Sequence, residues 1–516
     1  MQSRSASAKY GFSELLNYRK TGIQERYLAL HGIVGHCEEA SNTTLLISNR
    51  LEWRSLRDGM RGCPNPPSPL NSLSVPFKVI PMQRREFLEA TSAALVTTPL
   101  LAASAGALPV AEPLLNQDSD GPPINVGIMG FSRGRDLAEE VLKIPGVSIT
   151  YICETDSKRG ESGVQRVAEA GGKAQWVADL RKMLDDPKLH AIFCAAPNHW
   201  HGPATILACK AGKHVYVEKP ACHNPQEGEW MVAAANKYAR CVQVGNQRRS
   251  SPGFRAAIAK LHAGAIGKVY LARAFFNRMR GPIGVKTDSQ PPSELDYELW
   301  QGPAPRRPFR SNVVHYNWHW FWHWGNGELG NNGVHSLDIC RWGLQADYPI
   351  RTTSMGGRYR YVDDQETPDT QSVAWEFEGG RQIHYEGLSC VKNNNGPFVS
   401  FYGYDGYMET DSDGGYEIFD ANGKSVESSP KTGWGQPEHV TNFIDAVRNN
   451  DPSRLNQPIL SGHQSTLLCH LGNAAHRTGR VIHSRPTDGH WTDADIPNEL
   501  WRRSYDPQWE GLISNI

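Results

Sequence analysis

Ile124-Asn125-Val126-Gly127-Ile128-Met129-Gly130-Phe131-Ser132-Arg133-Gly134-Arg135 decides the fold class of this 516-residue chain. Ile124 to Met129 is a short, mostly apolar run of strand type. Gly130 supplies a tight turn, and a helical pattern through Asp136 to Lys143 follows. A second apolar run, Val147 to Cys153, completes strand, turn, helix, strand. The turn departs from Gly-x-Gly-x-x-Gly: Ser132 stands at the second glycine position, and Gly134 falls one residue before the third. Backbone N–H groups at such a helix start cradle a pyrophosphate, with charge added by Arg133 or Arg135. Glu154 ends the second strand. A carboxylate there accepts hydrogen bonds from a ribose and repels a 2′-phosphate, which favours NAD. Lys158 and Arg159 lie just beyond and keep NADP open.

The alternation continues outward. Helices are predicted around Asp156 to Ala170 and Asp179 to Asp185, then a strand over His190 to Ala195. Pro197-Asn198-His199-Trp200-His201 reads as a polar loop at that strand's carboxyl end, before a helix from Pro203 to Ala211. Gly212 to Val217 forms the next strand and closes on Glu218-Lys219-Pro220. Helix Pro225 to Ala239 and strand Cys241 to Val244 follow. Such alternation argues for a doubly wound parallel sheet. Ligands of these sheets sit beyond the carboxyl ends of the strands, so Lys219 is held where chemistry happens.

Lys+Arg and Asp+Glu balance at 54 each, which offers no global attraction to nucleic acid or to an acidic membrane. The ten cysteines are scattered without a Cys-x-x-Cys pair, which argues against a zinc site or a redox dithiol. Cys153, Cys194, Cys209 and Cys241 lie in apolar runs and read as small hydrophobes.

Residues 82–107 carry Arg84-Arg85-x-Phe87-Leu88, an apolar stretch from Ala93 to Ala103, and Ala105-Gly106-Ala107, a cleavage candidate of Ala-x-Ala type. This pattern resembles a twin-arginine export signal, which carries folded proteins. The apolar stretch is shorter than a membrane span. The expectation is an exported or periplasmic protein with its natural start at Met82. Residues 1–81 then form a disordered extension or a misassigned start, and 108–122 a proline-rich linker.

The glycine turn, the acidic strand end, Pro197-Asn198-His199-x-His201 and Glu218-Lys219-Pro220 together resemble the Gfo/Idh/MocA family of NAD(P)-dependent oxidoreductases. Gly327-Glu328-Leu329-Gly330-Asn331-Asn332-Gly333-Val334-His335-Ser336-Leu337-Asp338 resembles that family's Gly-rich segment ending in His-x-x-Asp. His439 to Arg448 and Leu471 to Arg480 resemble its exported members. The likeness covers roughly residues 123–485. It implies an N-terminal Rossmann domain, residues 123–245, and a C-terminal α+β domain, 246–485, with an open, mostly antiparallel sheet, then a tail, 486–516. Runs such as Val269 to Phe276, Thr370 to Phe377 and Gln382 to Gly387 fit such strands. The second domain supplies the substrate floor and an oligomer interface in the family, so a homo-oligomer is expected.

The resemblance also implies the site. The cofactor is NAD, or NADP, held by Gly130, Phe131, Ser132, Arg133, Gly134, Glu154, Pro197, Asn198, His201, Glu218, Lys219 and Pro220. The catalytic set is Lys219, His335, Asn331 and Asp338, with no metal. Asn331 stands where the family has an aspartate, and an amide takes no proton but still orients a hydroxyl. Asp338 is expected to orient His335. The segment His315 to Trp324 alternates aromatic and polar side chains, which suits stacking on a sugar ring or an aromatic core. Its three histidines at four-residue spacing also suggest a metal face, but the aromatic alternation explains the segment without one. Three functions follow: hydride transfer between nicotinamide and a secondary alcohol of a sugar, inositol or glycoside; glycoside cleavage with NAD retained and used catalytically; or non-catalytic binding of a nucleotide or sugar.

Overall fold

The apolar run Ile124–Met129 forms β1, the central strand of a six-stranded parallel sheet. The computed structural model describes residues 122–392 and 396–516. The segment 1–81, the expected signal 82–107 and all of the linker 108–122 except Pro122 lie outside the described residues. The sheet contains β2 (Val147–Cys153), β3 (Gln175–Val177), β4 (Ala191–Cys194), β5 (His214–Val217) and β6 (Val242–Val244) in the order β3-β2-β1-β4-β5-β6. Helices α1 (Arg133–Val141), α2 (Ser157–Glu169), α3 (Leu180–Leu184), α4 (Asn198–Lys210) and α5 (Pro225–Lys237) make the crossovers. Gly130 turns the chain with φ +82°, and a Cβ there would lie 2.7 Å from the Ala195 carbonyl oxygen, so only glycine fits.

Two boundaries differ from the sequence reading. Helix α1 begins at Arg133, three residues before Asp136, because Gly134 packs its bare Cα against Ile128 in the first turn. Residues 198–201 form the first turn of α4 rather than a loop, with Pro197 capping and Pro203 carried inside the helix. Pro203 withholds one N–H from the helical ladder, and the helix runs through it.

A helix, α6 (Pro252–His262), leads to the second sheet. Its strands are β7 (Val269–Asn277), β8 (Arg351–Gly357), β9 (Thr370–Glu376), β10 (Gln382–Leu388), β11 (Val399–Gly403), β12 (Gly406–Thr410), β13 (Tyr416–Asp420), β14 (Ser425–Ser429) and β15 (Ile482–His483). All pairings are antiparallel except β7 with β10. Alternate residues such as Val373, Trp375, Ile383 and Tyr385 point inward and pack with Phe254, Ile258, Leu337 and Leu468. Those partners come from α6, α8 (Val334–Leu344) and α10 (Ile459–Thr478), with the short α7 (Tyr297–Gln301) lying between β7 and α8.

The chain returns to the first sheet at its end. Helix α9 (Gln436–Asn449) buries Val440, Phe443 and Ile444 with Ile128 and Phe193 of the parallel sheet. Helix α11 (Pro507–Ser514), in the segment read as a tail, sets Trp509 edge-on against Trp200 with ring centroids 5.0 Å apart. The described residues belong to one compact unit. No helix among the described residues is long and apolar enough to cross a membrane. Trp509 is 2% exposed, so Trp509→Ala is expected to destabilise the fold by about 3–5 kcal/mol, read as a lower urea midpoint.

Candidate active site

Both polar strand ends deliver their side chains to one cleft. It is lined by Gly130 to Arg133, Glu154, Ala195 to Asn198, His201, Glu218 and Lys219. The opposite wall comes from the excursion between β7 and α8 and carries Trp300, His315, Tyr316, Trp318, His319 and Asn331. The excursion is tied down at Trp300, whose carbonyl faces His199 Nε2 at 2.9 Å and accepts from Trp200 Nε1 at 3.0 Å.

The first turn of α1 opens on this cleft, and Ser132 makes no side-chain capping bond to it. Its N–H groups are therefore available to an anion. Glu154 is buried; its carboxylate accepts from Phe131 N at 2.7 Å and Thr155 N at 3.0 Å. Lys158 is turned away to Glu294 at 2.7 Å. Arg159 stays beside Glu154 at 3.7 Å. These residues fit a dinucleotide: a turn that admits no Cβ, an uncapped helix start and an acid at the second strand end. Gly134 and Pro220 do not line the cleft; Gly134 supports α1, and the Pro220 carbonyl faces His201 Nδ1 at 2.7 Å. The other His201 nitrogen lies 2.8 Å from the Ala196 carbonyl, so this buried ring ties the two strand-end loops together.

Glu218 accepts from Arg133 Nε at 3.1 Å and from Gln247 Nε2 at 2.9 Å. Burial alone would raise its carboxyl, but the Arg133 and Lys219 charges outweigh burial and hold it below its ordinary value. Arg133, expected at a pyrophosphate, is thus also the clamp on Glu218. Lys219 follows in a cis peptide with Pro220. Its Nζ donates to the Asn331 carbonyl at 2.7 Å and to Asn331 Oδ1 at 3.2 Å. Asn331 lies in a wide π-helical turn, Leu329–Gly333, directly before α8. Such turns are frequent at functional sites.

The Asn331 amide is oriented by a residue that sequence reasoning missed. Glu328 Oε1 accepts from Asn331 Nδ2 at 3.3 Å and also takes Asn332 Nδ2. Glu328 is itself gripped by Arg280 through two bonds of 2.8 and 3.1 Å. The signal was present, as an acid in the glycine-rich run Gly327 to Gly333. Burial lowers the Lys219 ammonium below its ordinary value; Arg133 and Arg280 push the same way, against Glu218 and Glu328.

His335 opens α8 beside this group but does not line the cleft. It is half-buried, and its Nδ1 is buried without a hydrogen-bond partner. Burial, then the charges of Lys219, Arg248 and Arg133, hold it well below its ordinary value, so the ring is neutral. Asp338 does not orient it. That carboxylate, fully buried, takes Arg249 at 2.8 and 2.9 Å, Ser465 at 2.6 Å and Gln457 at 2.9 Å. One helical turn separates the two residues in sequence, but Asp338 faces α10 and locks α8 in place.

The aromatic segment divides its work. Trp318, Phe321 and Trp324 are buried in a core with Tyr297 and Trp300, while Tyr316 is half exposed at the cleft. Its histidines part company: His315 meets Asp156 at 3.2 Å, His319 the Tyr316 carbonyl at 2.5 Å and His323 the Pro305 carbonyl at 2.8 Å. Among the described residues no group of three or more His, Cys, Asp or Glu is placed to hold a metal.

Comparisons with known proteins agree with this geometry. Residues 124–246 match the family model described as "Oxidoreductase family, NAD-binding Rossmann fold", and residues 280–511 that described as "Oxidoreductase family, C-terminal alpha/beta domain". The chain is 28% identical over 159 residues to a scyllo-inositol 2-dehydrogenase (NAD(+)) of Bacillus subtilis, covering 31% of this chain and 44% of that one. It is 30% identical over 172 residues to a glycosyl hydrolase family 109 protein of Saccharopolyspora erythraea, covering 32% of this chain and 37% of that one. Each match spans less than half of the relative's length. A solved levoglucosan dehydrogenase in complex with NADH and levoglucosan has a TM-score of 0.56 at 17% identity, covering 70% of this chain and 99% of that one, a likeness of fold.

Removing Asp338 leaves the Arg249 guanidinium buried without its carboxylate. Asp338→Ala is expected to cost about 3–5 kcal/mol, measured by denaturant unfolding.

Proposed function

The chain belongs to the Gfo/Idh/MocA oxidoreductase family, and from that premise we propose that it transfers hydride between NAD and a secondary alcohol of a sugar, inositol or glycoside. The observation that carries the reading is the Lys219 amine held on two oxygens of Asn331 at the edge of the dinucleotide cleft. When bound, NAD supplies the hydride acceptor. The α1 amino terminus and Arg133 hold its phosphates, and Glu154 takes its ribose. Removing a hydride from an alcohol carbon requires taking the hydroxyl proton as well. A neutral amine has two N–H bonds and one lone pair. Asn331 accepts both N–H bonds, so the lone pair is left for the substrate hydroxyl.

Asn331 cannot take that proton onward, because a carboxamide is far too weak a base to be protonated. Its contribution is orientation, and Glu328 with Arg280 fixes which end of the amide faces Lys219. His335, kept neutral by burial and by the Lys219 charge, does not line the cleft and is not assigned the proton. Tyr316, half exposed at the cleft, offers an apolar face to a sugar ring, which supports a carbohydrate or polyol substrate.

A second reading is glycoside cleavage with NAD retained, by oxidation, elimination and reduction back. Similarity to a glycosyl hydrolase family 109 protein favours it. So does the twin-arginine-type pattern at 82–107, since an exported enzyme that keeps its nucleotide has no need of a free pool.

Lys219→Ala is expected to retain NAD binding by calorimetry and to lose turnover by at least about a hundredfold. The neutral amine is the active form in oxidation. Rate should therefore rise with pH through a midpoint below the ordinary lysine value of 10.5, level off above it, and lose that limb in the variant. Unchanged turnover in Lys219→Ala removes the lysine from the mechanism. With sugar glycosides as substrates, NADH accumulation in step with product marks the dehydrogenase; product release without it marks the cleavage reaction.

A further inference from the structure

Asn198 lines the cofactor cleft, and the Asn326 it bonds at 2.9 Å lines a second cavity. Three arginines line this second space: Arg307, Arg477 and Arg503. Arg503 donates to His223 Nδ1 at 3.2 Å and to the His323 carbonyl at 3.1 Å. The Arg477 guanidinium lies 5.2 Å over the Trp322 ring. Among the described residues no carboxylate comes within the 4.0 Å of an ion pair with any of the three. Glu499 is the one acidic residue in the lining.

The acids behind the wall do not offset this. Glu366 acts on Arg477 only at a distance. Glu227 stands behind Arg503, but burial pushes its carboxyl up to about 7, which weakens it as a counterion. Burial lowers the Arg503 pKa despite Glu227, and the neighbouring Arg307 charge lowers it further. Three arginines thus face one cavity with only Glu499 in its lining and Glu227 behind Arg503, an excess of positive charge that suits an anion.

The inner wall adds a second requirement. Asn473 is 6% exposed and donates its Nδ2 to the Asn326 carbonyl at 2.9 Å. Its Oδ1 is buried and has no donor in the protein. A buried acceptor left unpaired is costly, and a ligand hydroxyl is one donor that would satisfy it. His223 does not supply one, because its Nδ1 accepts from Arg503 and its Nε2 faces the Trp322 carbonyl at 3.0 Å.

We infer that this cavity binds a sugar acid, a polyhydroxylated carboxylate whose anion lies among Arg307, Arg477 and Arg503 and whose hydroxyl donates to Asn473 Oδ1. None of these four residues belongs to the hydride-transfer site, and the inference stands apart from it.

The test is calorimetric titration of the NAD-loaded full chain with sodium D-glucuronate, with D-glucose and inorganic phosphate as comparators. Saturable glucuronate binding is expected, and tighter than either comparator. The double variant Arg307→Gln, Arg477→Gln should weaken it by at least about tenfold. Both side chains are exposed, so the fold does not depend on them. Asn473→Ala should weaken glucuronate and leave phosphate unchanged. Lys219→Ala should leave glucuronate binding intact while abolishing turnover, which separates this cavity from the catalytic one. Four results overturn the inference: glucuronate binding unaffected by the double variant, glucose binding as tightly as glucuronate, phosphate binding more tightly, or loss of glucuronate binding in Lys219→Ala.

Discussion

The Lys219 amine resting on Asn331 is the contact on which the site depends. One partner stands at the carboxyl end of a parallel strand, the other in the turn that opens α8 of the second domain. Their bonds of 2.7 and 3.2 Å join the two layers at the edge of the cleft. Neither domain alone would hold the amine in a fixed direction. A lysine side chain has four rotatable bonds, and two acceptors from a rigid turn remove most of that freedom.

Around this contact the charges alternate. Arg133 clamps Glu218, Glu218 neighbours Lys219, and Glu328 stands behind Asn331 with Arg280 behind it. Each carboxylate is matched by a guanidinium, so the lysine is the cation without a full partner. Burial then favours its neutral form. The same accounting explains why an amide suits position 331, where the family resemblance implies an aspartate. A carboxylate at 331 would face Glu328 across 3.3 Å and would hold the lysine charged.

Much of the fold was legible because the parallel strands announce themselves. β1, β2, β4 and β5 are apolar runs that end on Gly130, Glu154, Pro197 and Glu218, where buried backbone gives way to groups that face a ligand. β3 was missed because Gln175–Val177 is a three-residue edge strand with little buried surface and hence no pattern. The start of α4 was misplaced because Pro203 suggested a first turn, when Pro197 caps the helix instead. At the site, Lys219 and Asn331 were legible from their motifs. Glu328 and Arg280 were not, since their pairing spans 48 residues and acquires its meaning only from three-dimensional proximity. Asp338 was misread for the converse reason: helical spacing put it near His335, while burial turned it to Arg249.

The most direct measurement is the titration of Lys219 itself, followed by the ¹³Cε shift of labelled lysine in the NAD-loaded protein, with Lys219→Ala to assign the resonance. The account predicts a midpoint clearly below the ordinary 10.5, and a further fall when Glu328→Gln removes a carboxylate that favours the charged amine and leaves the Arg280 charge opposing it. A Lys219 midpoint at or above 10.5 in the wild-type complex would mean that the amine stays charged through the working pH range, and it would contradict the assignment of Lys219 as the proton acceptor.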